Sequence, residues 1–290
     1  MNKEYVYPPK ELLDKDNIDL ETKYYHLSKN LLKKDLNDKL IIPIGIDENK
    51  KRYYVDLKNG SGLFIGGETG SGKSMLLDSI IITLLFKNSP EDLKFVLMNP
   101  SRVELNYYND LPHMFCHVIY SPTAAIDNLK VIIKEINARL DIFHTVGSKT
   151  LDIYNNRGEA HLPHILIIID ESNDIMEQEE SKKLIKQILD RGHYAGIHLI
   201  LATSSYFAKD FDQSIISRFS YVSSFDLASK EQAQFINLKG ADLLMVAGEA
   251  MIKTNGSVEK IQTPYVTEDE INRVIDFIIR NNKEVIWLII

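Results

Sequence analysis

The stretch FIGGETGSGKSMLL, residues 64–77, constrains the fold more than any other part of the chain. Within it, Gly67-Glu68-Thr69-Gly70-Ser71-Gly72-Lys73-Ser74 satisfies G-x-x-x-x-G-K-[ST]. The pattern follows a strand-length apolar run and opens a helix-forming one, the context a phosphate loop needs and a chance glycine-rich turn would lack. The glycines let the backbone curl until successive N–H groups point inward, and the N-terminus of the following helix adds its dipole. Lys73 supplies a point charge for β- and γ-phosphates, and the Ser74 hydroxyl suits Mg²⁺. The loop therefore predicts a nucleoside triphosphate site formed by Gly67, Glu68, Thr69, Gly70, Ser71, Gly72, Lys73 and Ser74, seated between a strand and a helix.

The rest of the chain agrees with that setting. From residue 41 onward, apolar runs of strand length alternate with amphipathic stretches of helix length, as expected for an α/β domain with a mostly parallel central sheet flanked by helices. Strands are predicted at 63–66, 94–98, 164–169, 198–202 and 219–224, and helices at 73–87, 124–146, 179–192 and 212–217. A small β-rich extension near 243–262 and a last helix at 268–281 complete the domain, 41–283. Residues 1–40, polar apart from a predicted helix over 21–37, read as a linker or arm, and 284–290 as an apolar tail. With 290 residues and 44% hydrophobic content the chain can bury a substantial core. Its net charge of −7 argues against a uniformly basic nucleic-acid coat but leaves room for a local basic channel. The single cysteine, Cys116, excludes an internal disulfide framework. The opening residues lack the apolar core of a signal peptide, and no apolar run reaches the ~18 residues that span a bilayer, so a cytoplasmic location without direct membrane insertion is expected.

HILIIIDES, residues 164–172, carries the second chemical signal. It places Asp170 at the end of a strand buried on both faces, where doubly wound sheets gather their ligands. An acidic residue there reads as the second Mg²⁺ anchor, and Glu171 beside it as the base that polarises an attacking water. A strand-end acidic turn that merely caps the next helix is the plainer alternative, which the phosphate loop upstream disfavours. His113 and His117 bracket Cys116, and His161 precedes His164 by three, but neither group has the paired-cysteine spacing of structural zinc. These read as ordinary surface or satisfied histidines. Tyr107 and Tyr108 read as packing.

Beyond the phosphate loop, several stretches resemble the motor domain of the FtsK/SpoIIIE DNA translocases. They are IPIGIDENKKRYYVDL before the loop, NSPEDLKFVLMNPSRVELNYYNDLPHM after it, IDESNDIM, YAGIHLILAT, KGADLLMVAGEAMI and YVTEDEINRVIDFI. The resemblance implies a RecA-like P-loop ATPase that uses ATP and Mg²⁺ and assembles as a homo-oligomeric, hexameric ring around double-stranded DNA, held without regard to sequence. It implies Ser74 and Asp170 at the metal, Glu171 and Lys73 in catalysis, and, for Arg218 in IISRFSY, an arginine finger offered to a neighbouring subunit. Candidate DNA contacts are Lys149 and Arg157 in the polar segment 147–160.

The departures are as specific as the likeness. Where the family usually reads Gln-Arg-Pro this chain has Ser204-Ser205-Tyr206, where it reads Asp-Pro-Lys the chain has Asn99-Pro100-Ser101 followed by Arg102, and His193 replaces an arginine. They bear on turnover and its coupling to DNA, for which reduced efficiency is expected, rather than on nucleotide binding. Neither a membrane anchor nor a winged helix is present in the sequence, which suggests a bare motor or one working with membrane-anchored or mobile-element proteins. Two alternatives follow: a protein-export motor of the type VII secretion kind, and an ATP-binding regulatory or assembly protein with little turnover.

Overall fold

The computed structural model describes residues 4–14, 25–27, 39–100, 105–158, 160–204, 211–254 and 256–282. Its strands are β1 (Tyr25–His26), β2 (Ile41–Ile46), β3 (Arg52–Asp56), β4 (Leu63–Gly66), β5 (Leu93–Met98), β6 (His164–Ile169), β7 (Ile197–Thr203), β8 (Tyr221–Ser224), β9 (Glu249–Thr254), β10 (Ser257–Gln262) and β11 (Pro264–Tyr265). Its helices are α1 (Lys73–Leu85), α2 (Pro122–Thr145), α3 (Leu151–Asn155), α4 (Asn173–Met176), α5 (Glu179–Arg191), α6 (Gln213–Ile216), α7 (Lys230–Phe235) and α8 (Glu268–Asn281).

Nine strands form one mixed sheet in the order β3-β2-β10-β9-β8-β4-β7-β6-β5. The half from β8 to β5 is parallel throughout. The half from β3 to β9 is antiparallel and joins β8 through an antiparallel pairing. The lead-in pair β2–β3 and the β-rich extension β9–β10 are thus two parts of the same sheet. β10 and β9 lie between β2 and the parallel half, and β10 meets β2 at Gln262 and Ile46.

Burial follows the pairing. Every residue of β5 and β7 is buried, because helices cover both faces of the parallel half. Alternate residues sort into two cores, as a side-chain period of two requires. Leu63, Ile65, Leu97, Ile168 and Ala202 pack with Leu77, Ile81 and Leu84 of α1 and with Val274 and Ile278 of α8. Phe64, Val96, Ile167, Leu199 and Leu201 face the other way, onto Leu129, Ile132 and Ile136 of α2 and Ile185 and Ile188 of α5. In β9, by contrast, only Ala250 and Ile252 are buried, the alternation of a strand with one covered face.

The helix ends follow their sequence signals. Ser121 caps α2 by accepting from the Ala124 N–H, with Pro122 in the first turn. Thr267 and Glu270 form a reciprocal capping box on α8.

The predicted helix over 21–37 requires correction. Tyr25 and His26 form a strand parallel to β11, fixed further by the Leu27 N–H to the Tyr265 carbonyl at 2.7 Å; the other residues of that range lie outside the described ones. Residues 4–14 are packed rather than extended as an arm. Tyr5, Leu13 and Leu27 are buried in the α1-side core. Asn282 ties this segment to α8, accepting from the Val6 N–H at 2.8 Å and donating to the Val6 carbonyl at 3.1 Å. The tail 284–290 lies outside the described residues.

Two buried histidines make this core sensitive to acid. The ring of His113 is fully buried against Tyr5 and Phe95, with Nε2 3.0 Å from the Asn88 carbonyl, and burial pushes its pKa down to about 3. Burial, with His164 alongside, holds His198 well below the usual histidine range. Unfolding restores a pKa near 6.5 to each, so the unfolded chain binds more protons as pH falls below about 6.5, and stability is lost in that direction. Each ring adds a slope of about 1.4 kcal/mol per pH unit. Urea unfolding between pH 7 and pH 5 measures that slope, and His113→Gln is expected to remove about half of it.

Candidate functional site

The ends of the parallel strands converge on one edge of the sheet. The phosphate loop follows β4, Asn99 follows β5, Asp170 and Glu171 follow β6, Ser204 follows β7 and Phe225–Asp226 follow β8. This is the edge at which open α/β sheets bind ligands.

The loop runs from Gly67 into α1, whose N-cap is Gly72 with φ +119, a conformation closed to most side chains. Gly67 has φ +147, and a Cβ there would stand 2.7 Å from Phe225 Cβ, so Phe225 forms the floor on which the loop lies. Two backbone bonds hold the loop to that side of the sheet. The Glu68 N–H donates to the Asp226 carbonyl at 2.9 Å, and the Gly248 N–H donates to the Ser71 carbonyl at 3.1 Å. The opposite side is open: a Cβ at Gly70 would have no neighbour within 4 Å.

Lys73 lies inside the loop, only 4% exposed. Its ammonium donates to the Gly67 carbonyl at 2.8 Å and the Glu68 carbonyl at 3.1 Å, and stands 3.9 Å from Glu171 Oε1. A buried charge needs such partners, and here they lie where phosphate oxygens would compete for it.

Asp170 is fully buried, its Oδ1 accepting from the Glu171 N–H at 3.0 Å. Its Oδ2 is 3.4 Å from Ser74 Oγ and 3.5 Å from Asn99 Nδ2. The first separation exceeds a normal O–H···O bond, and two oxygens so spaced suit a shared cation with bonds of about 2.1 Å. Ser71 Oγ is buried without a hydrogen-bond partner among the described residues. The oxygen pair, the unpartnered hydroxyl and the open space at Gly70 fit a magnesium–nucleotide.

Glu171 adopts φ +48, costly for a residue with a Cβ and concentrated at functional sites. This left-handed turn carries the carboxylate toward β7, where Ser204 Oγ donates to Oε2 at 2.5 Å. Lys73, Ser74, Asp170 and Glu171 are therefore brought together as the sequence predicts.

Arg218 is not. It precedes β8 and lies at the opposite end of the sheet, where Nε donates to Asp190 Oδ1 at 2.9 Å and Nη1 to the Ser214 carbonyl. Lys149 and Arg157 are exposed, on the segment that leads into β6 at that same end; Arg157 Nη2 lies 3.4 Å from the Gly147 carbonyl. His161 and His164 also lie there, in two Lys–Asp–His rows lining a cavity of about 330 Å³. Lys39 and His161 flank Asp92, and Lys58 and His164 flank Asp152, whose pKa these partners, His164 foremost, lower to about 2. Cys116 is half-buried, and burial raises its thiol pKa, which suppresses the reactive thiolate. The departures at Ser101, Arg102, Ser205 and Tyr206 lie outside the described residues.

A glycine loop between a parallel strand and a helix, facing an acidic pair two strands away, defines the P-loop ATPase fold. Solved structures of that class align with it. The cytoplasmic domain of the Thermomonospora curvata type VII secretion ATPase EccC superposes with a TM-score of 0.74 at 21% identity, over 89% of this chain and 33% of that one. The pCW3 conjugation coupling protein TcpA, in its monomer form with ATPγS, superposes with a TM-score of 0.71 at 20% identity, over 88% and 74%. The sequence model of the FtsK/SpoIIIE family matches residues 29–220, and the chain belongs to that family. The DNA translocase FtsK of Helicobacter pylori (strain J99 / ATCC 700824) is 33% identical over 256 residues, which cover 85% of this chain and 30% of that protein. The chain thus spans about a third of the length of such relatives. Among the described residues no helix is long and apolar enough to cross a membrane.

The loop geometry separates two otherwise similar substitutions. Gly67→Ala collides with Phe225 and strains φ, with an expected loss of roughly 2–4 kcal/mol of unfolding stability. Gly70→Ala, at φ +82 but facing open space, is expected to cost about 1 kcal/mol. Chemical unfolding of both variants measures the difference.

Proposed function

We propose that this chain is a Mg²⁺-dependent ATPase motor that moves double-stranded DNA as a ring-shaped homo-oligomer. The observation that carries the reading is the convergence of Lys73, Ser74, Asp170 and Glu171 on one edge of the sheet, in a chain of the FtsK/SpoIIIE family. A module that only bound nucleotide would need no carboxylate at position 171.

Residues 67–74 hold the triphosphate through backbone N–H groups and the N-terminus of α1. Lys73 exchanges its bonds to the Gly67 and Glu68 carbonyls for phosphate oxygens. Ser74 and Asp170 would hold Mg²⁺, which would offset negative charge on the phosphates. As Lys73 turns to the phosphates, Glu171 Oε1 is released to orient the attacking water, and no covalent intermediate is needed. Arg218 cannot reach this site within its own chain. A head-to-tail ring sets unlike faces of neighbouring subunits together, and in it Arg218 acts on the next subunit's nucleotide. DNA is held through its phosphates by a local basic lining that includes Lys149 and Arg157, so binding weakens steeply with salt.

ATP hydrolysis measured with and without linear duplex DNA tests the reading. Several-fold stimulation by DNA is expected, with turnover lost in Lys73→Ala and Glu171→Gln. Turnover indifferent to DNA but raised by a secreted partner protein would favour the protein-export motor, the setting in which EccC is named. Binding of ATPγS without turnover would favour the regulatory protein. For Arg218, subunits carrying Arg218→Ala mixed with subunits carrying Glu171→Gln should regain part of the activity that each lacks alone. Mixtures as inactive as their components would overturn the shared site.

A further inference from the structure

We infer that Ser204 is a positioning residue for Glu171, holding the carboxylate by Oε2 so that it faces the phosphate loop. The inference rests on the ATPase reading above. It starts from a chain of hydrogen bonds whose directions are all determined. Thr203 Oγ1 donates to Asn173 Oδ1, which fixes the orientation of the Asn173 amide. Asn173 Nδ2 then donates to Ser204 Oγ at 3.3 Å. The Ser204 hydroxyl, with its lone pair so used, directs its proton to Glu171 Oε2 at 2.5 Å, a length typical of a bond to a charged acceptor.

The chain of bonds spans three elements. Thr203 ends β7, Asn173 opens α4, and Glu171 lies just after β6. Thr203 and Glu171 are buried, so neither end of the chain is loosened by solvent. The left-handed backbone at Glu171 is what lets so short a side chain as serine reach the carboxylate. The two carboxylate oxygens face different groups: Oε2 meets Ser204, and Oε1 lies 3.9 Å from Lys73. The Lys73 contact is the one that changes when the ammonium turns to phosphate. Ser204 keeps Oε2 and so holds the carboxylate facing the loop.

Position 204 follows the β7 strand, where the family resemblance places a glutamine whose longer amide would sense the phosphate directly. In this chain the short hydroxyl binds the base instead. The strand next to the phosphate loop acts on the base, and through it on the rate of hydrolysis.

Steady-state ATP hydrolysis and ATPγS affinity, measured on the full chain and on Ser204→Ala, Ser204→Thr and Glu171→Gln, test the assignment. Ser204→Ala is expected to lower kcat by roughly tenfold or more, with KM and ATPγS affinity within about twofold of the parent, because a misplaced base costs rate rather than binding. Ser204→Thr keeps the hydroxyl and should recover most of the loss. An unchanged or raised kcat in Ser204→Ala overturns the inference. So does a loss that Ser204→Thr does not repair, or one shared with ATPγS affinity. A parent whose turnover already matches Glu171→Gln overturns this inference together with the ATPase reading. A parent that turns over through Glu171, with Ser204→Ala equal to it, overturns this inference alone.

Discussion

An ammonium taken out of water must be met by oxygens, and the phosphate loop is built around that demand at Lys73. The Gly67 and Glu68 carbonyls turn inward to receive it, which requires the backbone excursions that only glycine makes freely at 67 and 72. Those excursions are possible because Phe225 fills the space beneath and because Asp226 and Gly248 anchor the loop from the β8–β9 side. The same ammonium faces Glu171, so the loop and the carboxylate after β6 are coupled through one charge. The loop's own carbonyls thus hold the cation at its centre.

The sheet separates two environments. At the ends of the parallel strands lie hydroxyls, a buried carboxylate pair and a buried serine without a hydrogen-bond partner among the described residues, chemistry suited to a polyanion and a cation together. At their beginnings lie Arg218, paired with Asp190, the exposed Lys149 and Arg157, and the two Lys–Asp–His rows, within which the charges meet one another. Two cores of comparable make-up, one on each face, keep these ends apart and rigid.

Most of this architecture was legible because its signals are local. The runs ILIII and FVLM can only be strands covered on both faces, and the Gly-Lys-Ser turn can only open a helix. The parts that escaped depend on distant partners. Tyr25–His26 sit in a stretch with helical spacing, yet form a strand because β11 offers an edge there. Phe225 and Gly248 support the loop from more than a hundred residues away in sequence, and nothing in their neighbours marks them. The bond from Ser204 to Glu171 depends on a backbone angle at 171 that no pattern announces.

The interleaving of the antiparallel half bears on how the chain is made. Strands β2 and β3 precede the phosphate loop and pair with each other, but their next neighbour in the sheet is β10, more than two hundred residues later. The phosphate loop takes one of its anchors, Gly248, from the same late segment. A ribosome-bound chain can assemble β4 through β8 as they emerge, while the early hairpin waits with an exposed edge. Anchoring of the phosphate loop at Gly248 and completion of the sheet through β10 then fall together, after β9 and β10 have been made.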